Sequence, residues 1–420
     1  MSFQAPIGTR DIFAPESKTI GALIAKFASL VELAGFDLLI SPLFEDYEVF
    51  ARSAGQASEV VSKEMYVFSD RGGREMALRP EGTASVVRAF IQHQNPTPFK
   101  AWYATPAFRY EKPQAGRYRQ HHQLGLEVIG SASPSCDIEI IELATSFLKS
   151  IGISNFTLLV NSMGDENCRP LYREALLDYL GSKKTELCQD HQDRFKLNPL
   201  RVLDCKKPEC TSVTKDAPMI DAMLCQECSS HHQEVLKGLS LLAIDFISAP
   251  RLVRGFDYYT RTTFEIQSNS LDSSQNAIGG GGRYDKLVEK LGGKSETPGI
   301  GFGMGLERLV LVLEANGIEI APKQSPDVYL VDLSSNLNSP VLAGLLRRCG
   351  ISVDYSYEKG SMKSQMRHAN KSGATLAIIF GQRELERGLY KIKDLATGEE
   401  SEVPLTAIEE AILEKLSKIG

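Results

Sequence analysis

The strongest constraint on the fold is a pair of strand-forming runs joined by a basic loop, within residues 99–130. The first run is rich in aromatic residues and ends near Tyr110, where Pro113 and Gly116 break it. Residues 123–129 then alternate in the manner of a second strand. This order predicts two neighbouring antiparallel strands connected by a flexible loop.

The loop and the strand ends carry charged residues suited to a phosphate-bearing substrate. Arg109 and Glu127 are expected on the neighbouring strands, beneath a loop with Lys112, Arg117 and Arg119. A planar guanidinium held on a strand can bind a phosphate and a carboxylate together, and the basic loop can reach a larger polyanion. The stretch has five Lys/Arg against two Asp/Glu, which also suits an exposed basic hairpin without a ligand.

Length and charge bound the class of protein. The chain has 420 residues, of which 42% are hydrophobic, enough for two to three domains with their own cores. Its formal net charge is −6, so a nucleic-acid partner would have to meet local basic patches. No apolar run reaches the length of about 18 residues that a membrane helix needs, and the start MSFQAPIGTRD has no hydrophobic signal region. We therefore expect a soluble, cytoplasmic protein without a membrane partner.

The first hundred residues combine helical and strand patterns. Apolar residues recur at helical spacing from Ile20 to Ala34, before Gly35, and FDLLISP is typical of a strand. MYVFSD and EMALRP predict a hairpin that leads into a helix beginning near Thr83. Glu81 and Thr83 lie at this junction, where polar groups and free backbone N–H groups can face a cleft. An N-capping Thr83 beside a solvated Glu81 is the alternative.

Two glycine-rich runs follow within residues 277–315. The run AIGGGGRYDK has four consecutive glycines, which permit close backbone approach, with Tyr284 just beyond them. The run GIGFGMG enters the helical pattern GLERLVLVLE. A dinucleotide fingerprint is disfavoured, because no βαβ unit with a later acidic residue surrounds this run.

Six candidate metal ligands fall within 41 residues of a mostly helical region. Thiolate and imidazole are the ligands that zinc prefers, and the CxxH, CxxxxC and CxxC spacings are typical of a zinc site. Reduced free thiols are the alternative. The six residues are Cys188, His191, Cys205, Cys210, Cys225 and Cys228.

A change of pattern predicts a separate C-terminal domain. Residues 316–325 contain Pro322 and several polar residues, as is typical of a linker. Alternating strands and helices then predict a compact α/β domain of about 95 residues. Between Arg347 and Lys393 there are ten Lys/Arg against four Asp/Glu, which indicates a basic patch or a solvated surface.

Several segments together resemble one family. FRYEKPQAGRYRQHHQLGLEVIG resembles motif 2 of the class II aminoacyl-tRNA synthetases, in the form seen in histidyl-tRNA synthetases. GTRD with the following helix and strand resembles motif 1, and the glycine-rich strand before GLERLVLVLE resembles motif 3. RLVRGFDYYTRTTFE is similar to the histidine-specific signature LVRGLDYYTGTVFE, with Phe256 and Arg261 as departures. The resemblance extends over nearly the whole chain.

The resemblance implies an α+β fold and a ligase activity. Residues 1–320 would form a class II catalytic domain on a mainly antiparallel sheet with flanking helices, with a mostly helical insertion at about 165–248. Residues 326–420 would form an α/β anticodon-binding domain. The enzyme would activate L-histidine with ATP and Mg²⁺ and transfer it to tRNA(His). Motif 1 implies a homodimer, and no tightly bound organic cofactor or protein-bound metal is implied.

The resemblance also implies three groups of site residues. The group that would bind histidine is Glu81, Gly82, Thr83, Gln123, Glu127, Tyr258, Tyr259 and Tyr284. The group that would bind ATP is Arg109, Arg117, Arg254 and Arg308, with Arg109, Arg254 and Arg308 as catalytic residues. The loop that would meet the tRNA acceptor end contains Lys112, Gln114, Arg117 and Arg119.

The function, the amino-acid specificity and the roles of two histidines and of the cysteines each have an alternative interpretation. A non-catalytic paralogue that regulates an ATP phosphoribosyltransferase would share the fold, but it usually lacks the C-terminal domain, and its signature residues are commonly eroded. A prolyl or threonyl specificity is disfavoured by RGFDYY. A general-base role for His121 or His122 lacks a visible partner carboxylate, and only one of these adjacent strand residues can face the site. Because typical bacterial members of the family need no zinc in this insertion, free thiols are favoured for the cysteines.

Overall fold

The computed structural model describes residues 3–417 with short gaps. The chain forms two compact units, Met1–Ala321 and Pro322–Gly420. The described part leaves out residues 56–57, 59, 115, 204, 254–257, 272–275, 322–324 and 335–336.

Most of the longer strands are rich in β-branched and aromatic residues, whereas glycine predominates in β10 and β11. The strands are β1 (Asp37–Leu38), β2 (Phe44–Asp46), β3 (Val67–Ser69), β4 (Glu75–Leu78), β5 (Phe99–Phe108), β6 (Gln120–Ile129), β7 (Phe156–Ser162), β8 (Ile247–Ser248), β9 (Thr260–Ser268), β10 (Ala277–Arg283), β11 (Gly299–Gly305), β12 (Val328–Asp332), β13 (Val353–Tyr355), β14 (Leu376–Phe380), β15 (Leu389–Asp394) and β16 (Glu400–Pro404).

Helices follow the segments with apolar residues at helical spacing. They are α1 (Glu16–Leu33), α2 (Tyr47–Ala54), α3 (Thr83–His93), α4 (Pro134–Ser150), α5 (Arg169–Ser182), α6 (Gln189–Arg194), α7 (Leu200–Leu203), α8 (Pro208–Thr214), α9 (Gln226–Leu241), α10 (Leu287–Lys290), α11 (Leu306–Ala315), α12 (Asn338–Arg348), α13 (Met362–Ser372), α14 (Gln382–Glu386) and α15 (Ile408–Ser417). None of the described helices is long and apolar enough to cross a membrane.

An eight-stranded sheet organises the larger unit, in the order β1-β5-β6-β11-β10-β9-β7-β8. Its six central strands run antiparallel to their neighbours, and the outer pairs β1·β5 and β7·β8 are parallel. Strands β5 and β6 pair without interruption from Phe99 opposite Ile129 to Phe108 opposite Gln120. The predicted strand pair is therefore confirmed, and so is the predicted mainly antiparallel sheet.

The two faces of this sheet have different environments, because successive side chains of a strand point in opposite directions. On β6, Leu124, Leu126 and Val128 pack into the main hydrophobic core with residues of α1, α4, α9 and α11. Phe27 of α1 lies at the centre of that core, 5.1 Å from the ring of Phe147. The alternate residues of β6 face the other side, where the candidate site lies.

The smaller unit contains a five-stranded mixed sheet in the order β13-β12-β14-β15-β16. Strands β13, β12 and β14 are parallel, whereas β15 and β16 run antiparallel to their neighbours. The predicted α/β class is confirmed here. Strand β16 could not be predicted from the sequence, because its residues ESEVP are exposed or half-buried at a sheet edge and show no apolar face.

Candidate active site

A buried carboxylate lies at the centre of the sheet face opposite the main core. Glu127 of β6 has no exposed surface. Its Oε1 accepts hydrogen bonds from the hydroxyls of Thr83 at 2.7 Å and Tyr103 at 3.3 Å. Its Oε2 accepts a hydrogen bond from the hydroxyl of Tyr284 at 2.6 Å. Helix α3, strand β5 and the segment after β10 therefore all aim a donor at one acid.

This environment makes Glu127 hard to ionise. Burial raises the pKa of Glu127 to about 8, and the nearby charge of Glu81 adds to the effect. The hydrogen bonds from Tyr284 and Thr83 oppose the increase by stabilising the carboxylate. A buried acid with a raised pKa is typical of functional sites.

Two glycines make room for the acid and for one of its tyrosines. Gly301 of β11 lies directly opposite Glu127, and an added Cβ there would come within 1.7 Å of Oε2. Gly125 of β6 lies opposite Tyr103, and a Cβ there would come within 1.9 Å of the ring. At these two positions, the close approach of a neighbouring side chain therefore requires glycine.

Glu81 closes one end of the site. Only 5% of its surface is exposed, so the alternative of a solvated carboxylate is wrong. It accepts hydrogen bonds from the backbone N–H groups of Thr83 at 2.5 Å and Ala84 at 2.9 Å, at the N-terminus of α3. Burial raises the pKa of Glu81 despite these bonds. The hydroxyl of Thr83 points to Glu127 and does not cap the helix.

Aromatic rings form the wall beside the two acids. Tyr258 and Tyr259 are both buried, with ring centroids 4.7 Å apart, and Tyr258 lies 6.1 Å from the ring of Tyr284. These tyrosines belong to one buried cluster with Tyr103. The predicted histidine group is thus brought together at Glu81, Gly82, Thr83, Glu127, Tyr258, Tyr259 and Tyr284.

An open cleft of about 340 Å³ adjoins this cluster. Its floor is formed by glycines of β10 and β11, including Gly279, Gly280 and Gly303. Its walls combine several cations with fewer acids, as expected of a site for a polyanion. The charged and polar wall residues are Arg109, Glu111, Arg117, His121, Gln123, Glu307 and Arg308.

Two arginines approach the cleft from rigid elements. Arg109 follows directly after β5, and its Nε donates to the carbonyl oxygen of Pro80 at 3.0 Å. Arg308 lies in the first turn of α11, and its Nη1 donates to the carbonyl oxygen of Ala277. Burial lowers the pKa of Arg308, and the charge of Arg117 lowers it further. Because the positive charges of Arg109, Arg117 and Arg308 lie near one another, an anion bound between them would be strongly stabilised.

The two adjacent histidines face different partners. His121 lines the cleft, and burial lowers its pKa to about 3, with Arg109 adding to the effect. The Nδ1 of His122 lies 2.7 Å from Oε1 of Glu307, and its backbone N–H donates to the same carboxylate at 3.0 Å. Glu307 is the partner carboxylate that the sequence did not reveal, because it lies 185 residues away.

The predicted loop residues are less closely gathered. Lys112 and Gln114 are exposed, and the backbone N–H of Gln114 donates to the carbonyl oxygen of Arg117. The guanidinium of Arg119 stacks on the ring of Tyr110 at 3.9 Å. Arg254, the remaining predicted catalytic residue, lies outside the described residues.

Comparison with known proteins matches both units to family models. A histidyl-tRNA synthetase model matches residues 8–309, and an anticodon binding domain model matches residues 331–415. The first match covers more than half of the chain, including every described residue of the site.

Full-length relatives are similar throughout. A histidine–tRNA ligase of Caldanaerobacter subterraneus subsp. tengcongensis is 44% identical over 98% of this chain and 100% of its own length. The ligase of Rhodococcus erythropolis is 45% identical over 97% of this chain and 96% of its own length. The crystal structure of apo S. aureus histidyl-tRNA synthetase has a TM-score of 0.82 and 34% identity, and the alignment covers 98% of this chain and 100% of that one.

Proposed function

This chain belongs to the histidyl-tRNA synthetase family, and from that premise we propose which of its residues carry each step of the reaction. It is a histidine–tRNA ligase of the class II aminoacyl-tRNA synthetases. ATP activates L-histidine to histidyl-adenylate with release of pyrophosphate, and the histidyl group then passes to the 3′ end of tRNA(His) with release of AMP.

The observation that carries the histidine assignment is the buried Glu127 within a tyrosine wall. A neutral imidazole has one N–H donor, one acceptor nitrogen and flat aromatic faces. Glu127 would accept that hydrogen bond while Tyr258 and Tyr259 pack against the ring. A side chain without a donor would leave the buried acid without this partner, so such amino acids are rejected. The α-ammonium group would lie against Glu81 and the hydroxyl of Thr83.

ATP would occupy the cleft beside this pocket. The glycine floor of β10 and β11 allows the base and phosphates to lie close to the backbone. Arg109 would bind the α-phosphate and the histidine carboxylate together, while Arg308 and Arg117 bind the outer phosphates. The carboxylate would attack the α-phosphorus in line, with catalysis by positioning and charge neutralisation. From the family resemblance, Arg254 would also approach the α-phosphate.

Magnesium would enter as part of the ATP substrate. Carboxylate oxygens are the ligands that Mg²⁺ prefers, and it is bound mostly by phosphates and by one or two acids. Glu111 and Glu307 are the acids that line the cleft, and Glu111 is the half-buried one beside Arg117. When bound, the ion would neutralise charge on the leaving pyrophosphate.

The tRNA would meet two basic regions. Lys112, Gln114, Arg117 and Arg119 would face the acceptor end from the loop after β5, where the first two are exposed. The C-terminal unit would read the anticodon, in line with its match to an anticodon binding domain. Phosphate contacts of this kind predict affinity that falls steeply with salt.

A homodimer is also proposed, through the motif 1 segment. This segment exposes large apolar side chains that a monomer would leave in water, among them Phe13, Leu33 and Ile40 at 75%, 89% and 85% exposure. Sedimentation at about twice the chain mass of 46.3 kDa supports the dimer. Sedimentation at the single-chain mass contradicts it.

ATP–pyrophosphate exchange with each of the twenty amino acids, without and with tRNA, tests the site assignment. We expect exchange with histidine alone.

A parallel measurement with Arg254→Ala should show reduced adenylate formation while histidine binding is largely retained, and equal loss of both would contradict the role given to Arg254. Folded dimeric protein that exchanges no amino acid would instead indicate the regulatory paralogue of an ATP phosphoribosyltransferase.

A further inference from the structure

The inserted helical region contains two clusters of potential metal ligands outside the active site. In each cluster the four ligand atoms lie within 4.8 Å of one another. We call these sets cluster A and cluster B. Cluster A is Cys188, His191, Cys205 and Cys210, and cluster B is Asp165, Cys168, Cys225 and Cys228.

The folded chain divides the cysteines differently from their order in sequence. Cys188 and His191 lie at the start of α6, Cys205 follows α7, and Cys210 lies in α8. Cys225 and Cys228, at the start of α9, do not join this group. They meet Asp165 and Cys168, which precede α5, so two complete sets of four ligands arise where the sequence suggested one set of six.

The distances in cluster A suit a single tetrahedral ion. With Zn–S near 2.3 Å and Zn–N near 2.0–2.1 Å, sulfur and nitrogen ligands lie about 3.6 Å apart. The Nδ1 of His191 lies 3.3 Å from Sγ of Cys188 and 3.5 Å from Sγ of Cys210. The backbone N–H of Cys188 also donates to Sγ of Cys210 at 3.3 Å, a bond that would stabilise a thiolate ligand.

Cluster B has a similar geometry with a carboxylate as its fourth ligand. Zinc bound to sulfur and carboxylate oxygen would hold these atoms about 3.5 Å apart. The Oδ1 of Asp165 lies 3.3 Å from Sγ of Cys168 and 4.0 Å from Sγ of Cys225. Small movements of flexible side chains would complete the coordination.

A disulfide or an iron–sulfur cluster fits these two ligand sets less well than a single zinc ion does. Each cluster has three cysteines, so one disulfide would leave an unpaired thiol. An iron–sulfur cluster is a cage of several atoms and would hold its cysteines farther apart than a single ion does. Four protein ligands around one ion leave no open position, which is typical of structural zinc.

We infer that clusters A and B each bind one structural Zn²⁺ ion. The helices joined by cluster A are short, with six residues in α6 and four in α7, so a metal would cross-link elements that are too short to be stable alone. Cluster B adjoins the active site, because Arg261 lies 3.6 Å from Asp165, and Arg169, next to Cys168, donates to the carbonyl oxygen of Tyr259 at 3.0 Å. Cluster B would thereby support the tyrosine wall.

The metal content of the full-length protein, purified without chelator, tests the inference. We expect two zinc ions per chain, one lost in Cys205→Ser and one lost in Cys225→Ser. The matched controls Cys136→Ser and Cys349→Ser remove cysteines outside both clusters and should retain two ions. A zinc content below a tenth of an equivalent per chain overturns both sites. If the unaltered protein holds one equivalent and only one of the two cluster variants loses it, the site in the other cluster is overturned.

A second measurement uses the unaltered chain, in case the variants do not fold. Protein stripped by a chelator and titrated with Co²⁺ should develop thiolate-to-cobalt charge-transfer absorption that saturates at two equivalents. Absence of this absorption in refolded protein counts against both sites. Neither readout depends on ligase activity, so failure of the zinc sites and failure of the proposed catalytic roles are distinguishable.

Discussion

Arg283 and Asp137 form an ion pair without exposed side-chain surface, with Nη2 of the arginine 2.6 Å from Oδ2 and Nε 2.8 Å from the same oxygen. The Nε2 of His231 lies 3.1 Å from the other carboxylate oxygen. The guanidinium also donates to the carbonyl oxygens of Ser131 and Ser133. Burial alone would raise the pKa of Asp137, but His231 and Arg283 outweigh it and hold the pKa below its ordinary value.

Removal of this acid should strongly destabilise the larger unit. Asp137→Ala leaves a buried guanidinium without its partner, and we expect a loss of about 3–5 kcal/mol in the free energy of unfolding at pH 7. Because the pKa of Asp137 is lowered in the folded state, the difference from wild type should shrink as pH falls below about 4. Glu48→Ala removes an exposed pair with Arg52 and should cost less than about 1 kcal/mol. Equal losses in the two variants, measured by chemical denaturation, would refute this prediction.

Glu127→Gln should impair the use of histidine. The amide has the size of the acid but a weaker acceptor, and we expect kcat/KM for histidine in pyrophosphate exchange to fall by about 100-fold. In the unaltered enzyme kcat/KM for histidine should rise as pH increases through about 8, because a neutral imidazole needs the ionised acid. Glu139→Gln, on the surface of α4, should change neither quantity. A kcat/KM that falls over that pH range would mean that Glu127 acts as the donor.

The same substitution should increase stability at alkaline pH. The pKa of Glu127 is higher in the folded chain than the value of about 4.3 in an unfolded chain. Between these values the folded state binds the extra proton, so this acid lowers stability as pH rises. Glu127→Gln should therefore gain at least about 2 kcal/mol over wild type at pH 9 and little at pH 4. A pH-independent difference in denaturation midpoint would contradict the shift.

Gly301 and Gly303, both on β11, allow a matched comparison of two Gly→Ala substitutions. In Gly301→Ala the new Cβ would meet Oε2 of Glu127 at 1.7 Å and the backbone oxygen of Leu126 at 2.5 Å. We expect a loss of at least about 2 kcal/mol and displacement of the acid. In Gly303→Ala the nearest atom is 3.8 Å away, so the unfolding free energy should stay within about 1 kcal/mol of wild type. The two variants are compared by thermal denaturation. Similar melting temperatures would argue against the close approach of Glu127 to Gly301.

Arg308→Ala should weaken ATP use selectively. Loss of a cation on the outer phosphates should lower kcat/KM for ATP by about 10²–10³-fold, while histidine binding measured calorimetrically stays near wild type. Arg74→Ala removes a cation from the exposed hairpin and should leave both unchanged. An equal loss of histidine binding would indicate that Arg308 supports the whole site.

Much of the fold was predictable because the sequence patterns of its strands and helices lie within short segments of the chain. The pairing of β5 with β6 follows from two runs of strand residues on either side of a loop that contains Pro113 and Gly116, whereas the confirmed fold class was implied by the family resemblance. Tyr103 was missed because an aromatic residue on a buried strand resembles any other core residue in sequence. Glu307 was missed because only the folded chain brings it to His122. The division of the cysteines between two clusters likewise depends on how α5 and α9 meet.

The register that places Gly301 opposite Glu127 has an evolutionary consequence. The space that Glu127 occupies is shared with the missing side chain on β11, so these two positions form a single recognition unit. A larger residue at 301 is not accommodated while the acid remains, whereas a shorter side chain at 127 would leave space for it. A substitution at position 301 therefore depends on which side chain stands at position 127, so the two positions can change only together in that direction.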